Sequence, residues 1–214
     1  MAEIEIVPGI FEKDWTAFVQ KVALAAPYVP WVHTDILDNT MVAGKTVSDF
    51  SKLPELKGSY PNVSFEAHLM VGNPEKYVRE LVDSGFDRLI AHVEANDPRR
   101  FLEAAKFEEV EVGLALDGTT EVEVIEPLLE EVAFVVVLTA EAGAPDRPFL
   151  PEAAEKVKLI RENYPDLPIE ALGGITPENV KTVKDAGATR IVSTHFIFND
   201  PQNVAAAIEA LKAA

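Results

Sequence analysis

Apolar residues along this chain come in short β-branched runs, each closed by turn-forming residues and followed by a stretch where apolar positions recur three and four apart. Eight such runs predict strands: Ile4–Val7, Trp31–Leu37, Val63–Leu69, Arg88–Val93, Val110–Leu116, Ala133–Leu138, Pro168–Leu172 and Arg190–Ser193. The spacing predicts helices between them, such as Phe11–Ala25, where Phe11, Trp15, Phe18, Val19 and Val22 share one face, and Pro201–Ala213, with Val204, Ile208 and Leu211. Asn73-Pro74, Asp97-Pro98 and Thr176-Pro177-Glu178 each put a capping residue ahead of proline, a helix-start signal. Strands alternating with helices imply a parallel sheet. Eight units in 214 residues leave roughly 27 residues each, which fits a single-domain α/β chain folded over residues 1–214 as a (β/α)8 TIM barrel with short loops. A doubly wound open sheet would share the rhythm, but Pro8-Gly9-Ile10-Phe11 after the first strand lacks its glycine fingerprint.

Composition narrows the partners. The chain is 48% apolar and 26% charged, enough for a full core. Its 36 acidic against 19 basic residues give a net charge of −17, which repels nucleic acid and anionic membrane surfaces. The acidic clusters at Glu108, Glu109 and Glu111, and from Glu121 to Glu131, read as solvated surface. Without cysteine there is no disulfide, thiolate metal site or thiol nucleophile. The first residues, Met1 to Val7, carry no basic segment followed by an apolar one, and no run approaches a membrane span, so the cytoplasm is the expected compartment.

In a barrel of this type chemistry sits at the C-terminal ends of the strands. All four histidines fall there: His33 within strand two, His68 and His92 at the ends of strands three and four, and His195 after strand eight. His33 and Asp35 are two apart and so project from one face. With His68 from the next strand they could hold a divalent transition metal or form a buried hydrogen-bond network. On the far side, Gly173-Gly174 closes strand seven just before a helix, where amide groups can approach an anion. Loops after strands seven and eight are the usual phosphate site of the fold.

Trp31-Val32-His33-Thr34-Asp35-Ile36-Leu37-Asp38 resembles the W-x-H-x-D-x-M-D segment of the ribulose-phosphate 3-epimerase family. Glu66-Ala67-His68-Leu69-Met70-Val71-Gly72-Asn73-Pro74-Glu75 is similar to its D-x-H-L-M-V-x-x-P-E, His92-Val93-Glu94-Ala95 to its H-x-E-A, Phe149-Leu150-Pro151 to its F-x-P, and Ile169 to Ile175 to its I-E-V-D-G-G-I. The resemblance runs nearly end to end. It implies a TIM barrel that binds a divalent metal through two histidines and two aspartates and inverts one carbon of a ketopentose phosphate of carbohydrate metabolism. Its two aspartates act on opposite faces of a planar enediolate. By that correspondence His33, Asp35 and His68 are metal ligands, with Zn²⁺, Fe²⁺, Mn²⁺ or Co²⁺ all acceptable. Asp35 is also the general base, Met70 lines the site, and the retained Gly173 and Gly174 contact a phosphorylated sugar; His195, outside the correspondence, is a further candidate contact by its place after strand eight. A homo-oligomer is implied as well.

The sequence departs from that pattern at four places. Leu172 stands where the second aspartate belongs, and leucine neither ligates a metal nor moves a proton. The family's P-S-I-L-S is Pro8-Gly9-Ile10-Phe11-Glu12, its N-P-G-F-G-G-Q loop is replaced around Thr139 to Arg147, and its Gly-Ser after strand eight is Thr194-His195. Arg147 or a charged His195 could restore phosphate contact, and Glu141, Asp117 or His195 could supply the missing acid. Three functions follow: an epimerase with a relocated second acid, a one-base metal-dependent isomerase or lyase on a related sugar phosphate, or a sugar-phosphate-binding paralogue without turnover.

Overall fold

Every β-branched run becomes a strand in the computed structural model, which describes residues 4–214. The strands are β1 (Glu5–Ile10), β2 (Trp31–Leu37), β3 (Ser64–Met70), β4 (Arg88–His92), β5 (Glu111–Leu116), β6 (Phe134–Leu138), β7 (Ile169–Leu172) and β8 (Arg190–Ser193). They pair in parallel, each with the next, and β1 closes on β8, giving a (β/α)8 TIM barrel. Seven strands lie within one residue of their expected bounds at each end. The first extends three residues further, to Ile10, because Gly9 and Ile10 pair with His33 and Thr34 of β2. Met1, Ala2 and Glu3 lie outside the described residues.

Helices α1 (Trp15–Ala25), α2 (Leu53–Ser59), α3 (Val78–Asp83), α4 (Pro98–Ala105), α5 (Ala153–Asn163), α6 (Val180–Ala186), α7 (His195–Phe198) and α8 (Val204–Ala213) surround the strands. The expected helix from Phe11 starts at Trp15 instead, since Asp14 caps it by accepting a hydrogen bond from Ala17 N, and Phe11 joins the barrel mouth. Asp97 caps α4 through Arg100 N as its sequence predicts. The other two predicted starts do not hold. Asn73-Pro74 opens a 3₁₀ turn, and Thr176-Pro177 leads to a turn closed by Asn179, ahead of α6. The final helix likewise begins at Val204 rather than Pro201. Between β5 and β6 two 3₁₀ segments, Val122–Val124 and Glu126–Glu131, replace a helix. Pro127, β-branched Val122, Val124 and Ile125, and five glutamates within eleven residues all disfavour a regular α-helix there.

Strand alternation sorts side chains into two environments. On β6, Val135 and Val137 pack outward with the helices, while Phe134, Val136 and Leu138 form a separate inner cluster with Ile90 and Ala115. On β3 the outward set is Phe65, Ala67 and Leu69. That parity sends Glu66, His68 and Met70 into the barrel, together with His33 and Asp35 from β2 and Glu170 and Leu172 from β7. Carboxylates and imidazoles therefore occupy an interior that apolar residues would otherwise fill.

Candidate active site

The barrel interior holds a continuous string of hydrogen bonds running from Glu66 to Glu94. His33 Nδ1 lies 2.8 Å from Glu66 Oε1, and its Nε2 lies 3.3 Å from Asp35 Oδ1. His68 Nδ1 reaches the same Asp35 oxygen at 3.0 Å, and its Nε2 lies 2.8 Å from His92 Nε2. His92 Nδ1 then meets Glu94 Oε2 at 2.9 Å. The three imidazoles are fully buried and Asp35 is 5% exposed.

Proton positions follow from the partners. Carboxylates only accept, so His33, held between two of them, carries protons on both nitrogens. Burial opposes that charge, but the bonds to Asp35 and Glu66 outweigh it and raise the His33 pKa to about 10. Burial would likewise raise Asp35, yet the hydrogen bonds from His33 and His68 hold it well below the usual carboxylate range. For His68, burial and the neighbouring His92 and His33 prevail over Asp35 and push it down to about 4. His68 thus donates through Nδ1 and accepts through Nε2. Glu94, whose burial is overcome by His92, the Asp117 N–H and Thr120, falls to about 2.

His33, Asp35 and His68 present ligand atoms within 4.8 Å of one another. Two imidazole nitrogens and one carboxylate oxygen suit a divalent transition ion with open positions, so the donor set fits the expected cation. Leu172 adds no ligand at the fourth position. It forms an apolar wall with Leu138 and Ala142. His33, Glu66 and Glu170 make a second cluster of similar size below it. There, Arg88 and Arg190 lie 3.7–3.9 Å from the glutamates and already supply positive charge. That cluster is a buried ion cage rather than a cation site.

Above Asp35 opens a cavity of about 170 Å³, floored by Asp35 and Met70. The Gly173-Gly174 turn, His195, Arg147 and Glu141 line it as well. Gly174 has φ +63°, and a Cβ there would stand 2.6 Å from Phe149 N and 2.9 Å from Arg147 O. Only glycine lets the loop after β6 lie directly on this turn. Arg147 Nη1 is 3.6 Å from Glu141, both half-exposed. Asp117 does not reach the cavity. Its carboxylate accepts from Ala142 N and Thr119, and its own N–H donates to Glu94.

The structure thus brings His33, Asp35 and His68 together and places Met70, Gly173, Gly174 and His195 around one cavity. Glu66 and Glu170 enter the site unannounced by any motif role, while His92 and Glu94, placed at the strand-four mouth by their sequence, extend the chain of hydrogen bonds without being among the predicted ligands or sugar contacts. The signal for Glu66 and Glu170 was parity: each lies two residues before an inward position.

The fold and this donor set define a (β/α)8 barrel protein that holds a carboxylate at the floor of its mouth against two buried imidazoles. Comparison with known proteins gives the family. Residues 5–198 match the model of the ribulose-phosphate 3 epimerase family. A ribulose-phosphate 3-epimerase of Schizosaccharomyces pombe is 32% identical over 93% of this chain and 89% of its own length. The cytoplasmic isoform from Oryza sativa subsp. japonica is 30% identical, covering 97% and 93%. The chain belongs to the ribulose-phosphate 3-epimerase family, and so to the isomerase class of enzymes. Among solved structures, a 3-hexulose-6-phosphate synthase superposes with a TM-score of 0.76 over 98% of this chain and 99% of that one, at 18% identity, a likeness of fold. Among the described residues no helix is long and apolar enough to cross a membrane.

Proposed function

We propose that this protein is a sugar-phosphate epimerase acting at the carbon beside the carbonyl of a ketopentose phosphate, with Asp35 as the base on one face. The observation that carries the reading is Asp35 itself: a carboxylate held from behind by two buried imidazoles, at the floor of a cavity that the Gly173-Gly174 turn also lines. Two ring N–H groups on Oδ1 keep the carboxylate ionised and oriented, with Oδ2 free of both, although the charge on His33 lowers its basicity until that proton leaves. The glycine turn and Arg147 receive the phosphate, which sets the sugar chain across the cavity toward Asp35. Met70 and the Leu138–Leu172 wall limit water around the planar enediolate. A divalent ion bound by His33, Asp35 and His68 would act as a Lewis acid on the sugar's oxygens.

Leu172 favours a second reading, a one-base exchange, isomerisation or cleavage on the same class of substrate, because β7 offers no acid to the opposite face. An NMR time course of ribulose 5-phosphate in D₂O separates the two. Epimerisation places deuterium at C3 of xylulose 5-phosphate, and chelator stops it. Exchange or cleavage without the 3-epimer would establish the one-base reading, and an inert wild type would leave a binding paralogue. The net charge of −17 and lack of cysteine accord with a cytoplasmic protein that avoids nucleic acid and membranes, and we carry homo-oligomerisation as an expectation from the resemblance.

A further inference from the structure

Gly9 lies within β1, beside His33 in the sheet register, and shares strand parity with Phe11, which lines the cavity. It is not among the positive-φ glycines, so the backbone does not demand glycine there. Space does. A Cβ at Gly9 would run into Thr194 Oγ1, well inside contact distance, and would sit 3.0 Å from Val192 Cγ1. Thr194 stands at the start of α7, where a threonine ordinarily caps the helix through its hydroxyl, yet it makes no side-chain cap. Its hydroxyl lies over Gly9 of the adjoining β1, and Thr194 lines the cavity that Asp35 also lines.

We infer that the Thr194 hydroxyl is a substrate-binding group that holds a sugar oxygen over His33 and Asp35, standing in the place a side chain on β1 would fill. The inference rests on the epimerase reading above and deepens it. The motif comparison fits a reciprocal exchange: serine at the Gly9 position and glycine at the Thr194 position in the family pattern, glycine and threonine here. One hydroxyl is kept, delivered from β8 instead of β1. A hydroxyl can both donate to and accept from a hydroxyl or carbonyl of a phosphorylated ketose, and a methyl in its place leaves that oxygen unpaired.

The test is a set of variants measured for epimerisation and for C3 exchange in D₂O, with thermal melts as controls. Thr194→Val should lower kcat/KM about 10- to 100-fold with an unchanged melt, whereas Thr194→Ser should keep most of it. Gly9→Ser alone should lose activity through the collision. The double variant G9S/T194G should recover at least about tenfold over Thr194→Gly. Wild-type kcat/KM in Thr194→Val, or no recovery in the double variant, would overturn the assignment. A wild type that neither exchanges nor epimerises a ketopentose phosphate would instead remove the epimerase reading, and this inference with it.

Discussion

At the scale of single residues the chemistry depends on Asp35, because among the described residues no other carboxylate is both buried at the cavity floor and bonded to two imidazoles. Asp35→Asn keeps the shape and removes the base, so C3 exchange should fall about 10²- to 10⁴-fold, read as deuterium incorporation by NMR. Leu172→Asp restores a carboxylate beside Leu138. We expect it to raise the ratio of epimerisation to exchange at least about tenfold, and a ratio that stays put would mean another group already serves that face. His33 makes a second prediction. It is protonated between Glu66 and Asp35, with a pKa near 10, so a cation that takes its Nε2 must displace a proton. Metal affinity should therefore rise with pH through neutrality, with proton release detectable by calorimetry in buffers of different ionisation enthalpy. Affinity independent of pH would show that the ion does not use His33. The ligand-like trio was legible in sequence because two of its members are two apart on one strand. Glu66 and Glu170 were not, because a lone glutamate in a strand reads as a solvent-facing residue until the closed barrel turns its face inward.

Elements tell a similar story with a different cause. Strand positions were readable because a β-branched run between turns has few alternatives. Helix starts were less so: Pro74 and Pro177 are compatible with 3₁₀ turns as well as first helical turns, and local sequence does not choose between them. The 3₁₀ stretch after β5 was hidden by its apolar spacing, since Val122, Ile125, Leu128 and Leu129 bury in the same three-and-four pattern a helix would use. The loop after β6 matters most for function. Asp117 holds it through Ala142 N, Thr139 holds Gly173 O at 2.6 Å, and its backbone lies on Gly174. Gly174→Ala puts a Cβ against Arg147 and Phe149 and strains a positive φ. We expect about 1–3 kcal/mol of destabilisation by denaturant titration. Affinity for a phosphorylated ketose should fall more than affinity for its unphosphorylated form. Equal loss for both ligands would place the phosphate elsewhere.

Taken whole, the molecule is a barrel whose lower interior is ionic where oil would be expected. Glu66, Glu170, Arg88 and Arg190 are all inward-facing, and the arginines stack on aromatic rings, Arg88 over Trp31 at 3.6 Å and Arg190 over Phe134 at 4.7 Å. Both oxygens of Glu170 are buried without a hydrogen bond among the described residues. Burial, with the Glu66 carboxylate beside it, pushes the Glu170 pKa up to about 8, despite His33 and the arginines. An ordinary glutamate in the unfolded chain ionises near 4.5, so between those values the folded state keeps a proton that the unfolded state has released. Stability must then fall as pH rises across that window. Glu170→Gln removes this dependence while preserving shape. In the presence of chelator, the variant should match the wild type near pH 5 and exceed it above pH 8, by an amount on the order of a few kcal/mol in urea titrations. His33, whose Nδ1 lies 3.7 Å from Glu170 Oε1, feels the substitution as well, so its imidazole is followed by NMR in both proteins and its contribution subtracted. A gap that stays constant from pH 5 to above pH 8 would mean that Arg88 and Arg190 keep Glu170 ionised throughout. The cage would then be a fixed ion network beneath the metal-ligand trio rather than a set of groups sharing a proton with it.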